Sequence, residues 1–287
     1  PLPFFHMPLS PSETTSLLER LGHLPKKKLG QNFLIDGNIV EKSLQLADLP
    51  ASGDVVEIGP GLGTLTRKLL DAGQTVHSVE IDYRLAENIE KTEAEAIQQG
   101  KLILSRADAV KMPLGSLPDS VTNYAIVANL PYAISSAWLE SVLNTQRLPT
   151  RMVLMMQKEA VERIWAKPGT KEYHALSIFI SNTYQLTEKH AVSRKCFYPA
   201  PAVDSMLIRM DLKEDAFLFS SATRALIRKI FTQRRKQLGS LARKEAPEIK
   251  EIILPWLAQG EHPSSSRPEQ IPSSDWKRLG ELLGAMD

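Results

Sequence analysis

The stretch Asp54–Ile58 is short and β-rich, and it runs without a linker into Gly59, Pro60, Gly61, Leu62 and Gly63. Residues Leu62–Ala72 then follow a helical pattern. Glycines packed between a strand and a helix let the backbone approach a ligand closely, at the end of a parallel sheet where ligands bind. The flanking sequence keeps the same alternation. Thr75–Ile81 is predicted as a strand and Tyr83–Gln99 as one long helix, with further strands at Leu102–Ser105, Tyr124–Ala128 and Met152–Met156. Strands and helices alternating at this spacing imply an α/β fold, a parallel sheet covered on both faces.

Outside that alternation the pattern changes twice. Ser10, Pro11 and Glu13 form a helix start, with a capping serine, a proline at the first position and a glutamate three on. Leu17, Leu18 and Leu21 supply its apolar stripe, and Gly22 with Pro25 ends it. After Lys189, two extended runs at Ala191–Ser193 and Met206–Leu212 flank the proline-rich loop Phe197–Pro201, which fits a hairpin at the sheet edge. From Ser220 the signals are helical and strand-poor, and Gly260–Pro268 reads as a surface loop. The expected division is residues 1–212 as the sheet domain with an N-terminal helical extension, and 213–287 as a small helical domain. A chain of 287 residues with 43% hydrophobic residues has the bulk for one large and one small domain.

The glycine loop has the form E-x-G-x-G-x-G from Glu57 to Gly63, whereas a dinucleotide fingerprint is G-x-G-x-x-G. Pro60 also fits poorly with a backbone grip on pyrophosphate. A cofactor without phosphate, S-adenosylmethionine, suits the loop better. Glu80 ends the next strand, where a carboxylate can accept both ribose hydroxyls, and Asp82 is the second candidate. Asp108, after the third strand, can accept from the adenine amine of the cofactor or can equally cap a helix.

Asn129, Leu130, Pro131 and Tyr132 follow the fourth strand directly and are the most specific feature of the chain. The exocyclic amine of adenine is a poor nucleophile because its lone pair is delocalised into the ring. Acceptors for its protons, the Asn129 side-chain oxygen and the Leu130 carbonyl, turn that lone pair toward a methyl sulfonium. Pro131 fixes the turn and Tyr132 offers a face on which a flipped-out base stacks. Orientation then carries most of the rate.

Net charge is only +2, so the placement of charge matters more than its sum. Lys26, Lys27 and Lys28 form one basic cluster, and Arg224–Lys244 holds eight basic residues and no acid. Within it, Arg234, Arg235 and Lys236 are the strongest candidates for RNA phosphate contacts, read as lying at helical spacing. The six histidines have no metal-ligand spacing, so no metal is expected. Cys196 is the only cysteine, which excludes an intrachain disulfide and suits a reducing compartment. No apolar run is long enough to span a bilayer, and Pro1–Ser10 lacks the basic leader of a signal peptide. The expected location is the cytoplasm.

At this point the residues resemble the ribosomal RNA adenine N6,N6-dimethyltransferases, most of all their bacterial small-subunit (16S) branch. Lys28–Leu34, Glu57–Gly63, Val79–Asp82, Asp108, Asn129–Tyr132, Gln157–Glu159, Phe197–Ser205 and Phe231–Lys236 all fall in family order, from about Leu24 to about Leu283. The resemblance implies a class I S-adenosylmethionine methyltransferase fold: a seven-stranded, Rossmann-like sheet with helices on both faces and an all-helical C-terminal domain. It implies dimethylation of two adjacent adenosines near the 3′ end of small-subunit rRNA, within an assembling ribosomal subunit. Apart from the resemblance, nothing in the sequence suggests more than a monomer. Cofactor contacts carry over to Asn32, Leu34 (through its backbone), Gly59, Glu80, Asp108 and Asn129, with Gly61 beside them in the loop. The chain departs from the family at Pro199–Ala202, usually three prolines and a basic residue, and at Thr232, usually asparagine. Two other readings remain: a large-subunit rRNA adenine methyltransferase with the same chemistry, and a ribosome-assembly factor whose main role is binding.

Overall fold

The computed structural model of the protein describes residues 9–284, so most of Pro1–Ser10 lies outside the described residues. The predicted strands form β2 (Asp54–Ile58), β3 (Thr75–Glu80), β4 (Leu102–Arg106), β5 (Tyr124–Asn129), β6 (Arg151–Gln157), β7 (Tyr184–Val192) and β9 (Ser205–Leu212) of one sheet. Two short strands, β1 (Phe33–Leu34) and β8 (Phe197–Tyr198), pair separately.

The sheet order is β4-β3-β2-β5-β6-β9-β7. Strands β4 to β6 are mutually parallel, and β9 runs antiparallel to β6, with Ser205 opposite Gln157. Val55, Val56, Ile126, Val127, Val153 and Leu154 are essentially inaccessible, as expected of strands covered on both faces. The chain progresses outward in one direction from β2 to β4 and in the other from β5 to β6. That reversal leaves a crevice beyond the carboxyl ends of β2 and β5, where open α/β sheets bind ligands.

The helices are α1 (Pro11–Arg20), α2 (Gly37–Ala47), α3 (Thr64–Asp71), α4 (Tyr83–Thr92), α5 (Ala94–Gln98), α6 (Ser135–Asn144), α7 (Lys158–Ile164), α8 (Ala175–Thr183), α9 (Ser221–Thr232), α10 (Leu238–Ala242), α11 (Pro247–Gln259) and α12 (Ser273–Gly284). At α1, Ser10 and Glu13 form the capping box read from the sequence. The expected single helix over Tyr83–Gln99 is two. Glu93 leaves the helical region at φ −111°, ψ 25°, and its carboxylate pairs with Arg67 of α3. Strand β7 is longer than Ala191–Ser193 because most of its residues between Tyr184 and Val192 are exposed and polar, which hides any apolar alternation. The hairpin between β7 and β9 is present, with β8 in its connection. Among the described residues no helix is long and apolar enough to cross a membrane.

Packing divides the chain in two. One unit takes the residues up to Lys158 together with Leu186–Asp211; the other takes Glu159–Gln185 together with the residues from Leu212 onward. The second unit is built on aromatics: Phe231 and Trp256 pack on Trp276, and Phe231 also meets Tyr173 edge-on. Tyr173 Oη donates to the Ile271 carbonyl at 3.1 Å, which ties the 159–185 segment to the C-terminal helices.

Candidate active site

The crevice is walled by the glycine loop. Gly59 has φ +67°, a left-handed conformation that side chains disfavour, and a Cβ there would stand 3.0 Å from Pro131 Cγ. Gly61, at φ +59°, has the Phe33 ring 3.2 Å from where its Cβ would be. Glycine at both positions is therefore what allows the loop, the Asn129–Tyr132 turn and the N-terminal segment to line one groove.

Glu80, at the carboxyl end of β3, reaches this groove while only 5% exposed. Its Oε2 accepts from Gly61 N at 3.2 Å and its Oε1 from Asp82 N at 2.8 Å. Burial raises its pKa from 4.5 to about 6, against the opposing effect of those two hydrogen bonds. Asp108 lines the adjoining recess with Ile81 and Ala109, and its Oδ1 also accepts from Val110 N at 2.9 Å. It thus caps a turn and faces the recess at once. Glu57, which opens the glycine motif without a chemical role assigned by it, also borders the groove. Its Oε2 accepts from Thr66 Oγ1 at 2.7 Å and Ser78 Oγ at 2.8 Å, and complete burial pushes its pKa up to about 7.

Asn129 ends β5 opposite Met155, and Leu130 N donates to the Met155 carbonyl at 3.1 Å. The Asn129 amide nitrogen donates to the Asn32 carbonyl at 3.1 Å. Pro131 leads into a 3-10 turn over Tyr132–Ile134. The Tyr132 ring meets Phe197 edge-on at 6.5 Å, and its hydroxyl hydrogen-bonds with Ser205 at the buried start of β9. The family pattern includes the segment holding Phe197 and Ser205, but no local signal ties either residue to Tyr132, which lies more than sixty residues away.

The N-terminal segment covers this junction. Gly30, at φ +66°, packs its Cα against the backbone nitrogens of Tyr132 and Ala133, leaving 3.1 Å for any Cβ. Asn32 and Leu34 line the groove beside the glycine loop. Phe33 pairs with Tyr198 and Leu34 with Phe197 in the β1–β8 ribbon. Upstream, Lys26 Nζ and Gln31 Nε2 both donate to Asp82 Oδ2, at 2.7 and 3.2 Å. Burial opposes ionisation of Asp82, but these donors outweigh it and hold the carboxyl below its usual range. Asp82 is thereby engaged by the N-terminal segment, and Glu80 alone of the pair lines the groove.

The basic candidates divide. Lys27 and Lys28 are exposed, whereas the Lys26 ammonium is committed to Asp82. Arg234, Arg235 and Lys236 do not lie at helical spacing: α9 stops at Thr232 and α10 starts at Leu238, so all three sit in the intervening turn. The acid-free stretch is also partly neutralised by acids outside it. Lys229 pairs with Glu245 at 2.7 Å and Arg234 with Glu269 at 3.5 Å, while Arg224 is buried and donates to the Phe219 carbonyl. Arg235 and Lys236 remain exposed.

Residues 22–251 match the family model described as ribosomal RNA adenine dimethylase. The chain is 46% identical to the ribosomal RNA small subunit methyltransferase A of Opitutus terrae over 274 residues, covering 95% of this chain and 98% of that one. It is 37% identical to the protein of that name from Geobacillus, over 96% and 97% of the two chains. Among solved structures, it resembles a dimethyladenosine transferase from Plasmodium falciparum with a TM-score of 0.70 and 27% identity, over 88% of this chain and 98% of the other. The 23S rRNA methyltransferase ErmE gives 0.62 and 25%, over 88% and 100%. The sheet is that of the class I methyltransferases.

Proposed function

Because the chain belongs to the ribosomal RNA adenine dimethylase family, we propose that it methylates the N6 amines of two adjacent adenosines near the 3′ end of small-subunit rRNA. It is an S-adenosylmethionine-dependent methyltransferase acting on ribosomal RNA. One observation carries the reading: the Asn129 hydrogen bond to Asn32 joins the acceptor-bearing strand end to the segment that covers the Glu80 groove.

The groove fits the cofactor. Glu80 offers a buried carboxylate to a ribose diol, Asp108 an acceptor to the adenine amine, and Gly59 and Gly61 an unobstructed backbone, with Asn32 and Leu34 over them. Bound there, S-adenosylmethionine supplies an electrophilic methyl on a sulfonium. The chain's own residues act on the target base. Asn129 Oδ1 and the Leu130 carbonyl accept the amine protons, Pro131 holds the two acceptors at a fixed angle, and Tyr132 provides the stacking face. The nitrogen becomes acidic once alkylated, so a strong general base is not required at the start. Lys27, Lys28, Arg235 and Lys236 contact RNA phosphates. The substrate is the folded RNA of an assembling small subunit, met in the cytoplasm by a monomer.

The likeness to a 23S rRNA methyltransferase keeps one second reading in view, the same chemistry on large-subunit RNA. Small and large subunits from cells lacking either modification, each incubated with the protein and methyl-labelled S-adenosylmethionine, decide between them. Labelled dimethyladenosine in the small-subunit rRNA is the expected result. Label in large-subunit RNA alone moves the target, and no label despite cofactor binding points to an assembly factor.

A further inference from the structure

Asp82 stands two residues after Glu80, is 2% exposed, and is where several donors converge. Its Oδ1 accepts from Arg84 N at 3.1 Å and caps α4. Its Oδ2 takes Lys26 Nζ and Gln31 Nε2, and the His23 ring lies 3.8 Å from Oδ1. Gln31 closes the circuit: its Oε1 accepts from Lys26 N at 2.8 Å and lies 3.0 Å from His23 Nε2. A helix cap needs one oxygen, and asparagine supplies it as well as aspartate. The second oxygen and the buried charge are surplus to the cap. The desolvation of that second oxygen is offset by Lys26 and Gln31, both from the N-terminal segment. That segment continues directly into Asn32, Phe33 and Leu34 on the groove, while Asp82 N donates to Glu80 Oε1.

We propose that Asp82 is a positioning residue for cofactor capture, its second carboxylate oxygen clasping Lys26 and Gln31 so that residues 26–34 are set over the groove beside Glu80. The inference rests on the S-adenosylmethionine reading of that groove. Lys26 serves as counter-ion to this clasp rather than as a phosphate contact. Without the clasp the segment samples open states, and apparent affinity falls by the fraction of molecules that remain closed.

Asp82→Asn is a clean test, because Oδ1 keeps the cap while an NH2 group meets two donors at the other position. Binding of S-adenosylhomocysteine is measured by calorimetry. Tryptic cleavage at residues 26–28 is followed with and without that ligand, and thermal melting reports on the fold. A segment closed in about a tenth of molecules raises Kd roughly tenfold. Cleavage at residues 26–28 becomes faster, and turnover at saturating S-adenosylmethionine stays within about twofold of the unaltered protein, since only the closing equilibrium has changed. If Asp82→Asn fails to fold, Lys26→Met decides: its side chain is half exposed, and the same rise in Kd, and in cleavage after Lys27 and Lys28, is expected in smaller measure. Unchanged affinity and unchanged cleavage in the variant that folds would overturn the inference. Failure of the unaltered protein to bind S-adenosylhomocysteine would overturn the cofactor reading and the inference with it.

Discussion

Asn129 and Asn32, separated by 97 residues in the chain, meet through a hydrogen bond from an amide nitrogen to a main-chain carbonyl. A carbonyl can only accept, so the nitrogen must face Asn32, and the Asn129 oxygen points the other way as an acceptor. One contact therefore ties down the covering segment and sets the orientation of the oxygen proposed to receive the amine proton.

Asn129→Ala removes that acceptor and leaves the Glu80 side of the groove intact. Turnover should fall by about 10²-fold or more, the scale of a mispositioned reacting group, while affinity for S-adenosylhomocysteine changes only a few-fold. Single-turnover methylation beside calorimetry checks the split. Retained turnover would remove Asn129 from the amine-orienting role.

Cofactor affinity should depend on pH through Glu80, whose pKa burial raises to about 6. In the proposed role the ionised form accepts both ribose hydroxyls, so binding should strengthen as pH rises through 6 and level off above it. Below 6 the affinity should drop by about tenfold per unit, because a proton must be lost on binding. Calorimetry across pH 5–8 measures this, and Glu80→Gln should flatten the profile while weakening binding throughout. A profile unaltered by Glu80→Gln would place the titration elsewhere.

Glu57 acts on stability in the opposite direction. Its folded pKa of about 7 lies above the unfolded 4.5, so the folded state holds the proton more tightly. Stability present at low pH is then lost as pH rises from 4.5 through 7, by about 3 kcal/mol at most. Glu57→Gln keeps an oxygen for Thr66 and Ser78 and carries no charge. It should melt higher than the unaltered protein at pH 8 and show little difference at pH 5. Denaturant titrations at the two pH values test the sign.

Arg235→Glu alters an exposed position in the turn between α9 and α10. If Arg235 meets a phosphate, RNA affinity falls and the slope of log K against log salt flattens by about 0.9 for each duplex phosphate that is no longer neutralised. Filter binding across a salt series reads that slope. Arg234→Ala makes the contrast, since Arg234 is already paired with Glu269, and its chief effect should be on stability.

The parts of the site that could be read from the chain are those written within a few residues. The glycine loop, Glu80 and Asn129–Tyr132 each follow or end a strand, and a strand end dictates where its next residues point. The contacts that complete the site are remote in sequence. Asp82 gathers Lys26 and Gln31, Tyr132 leans on Phe197 and Ser205, and Phe33 pairs with Tyr198; no local pattern announces them. Helix α8 is illegible for another reason. Nearly all its residues are buried, so it lacks the apolar stripe by which a surface helix is recognised. The turn at Arg234–Lys236 shows the converse, since basic residues at close spacing carry no information about where a helix ends.

The pairing of Phe33 and Leu34 with Tyr198 and Phe197 ties one wall of the groove to a strand that does not itself line it. That same strand carries the ring on which Tyr132 leans. The short ribbon is therefore a shared fulcrum. A change that shifts residues 197–198 would be felt at Gly61, through Phe33, and at Tyr132 together, from a place that touches the groove nowhere.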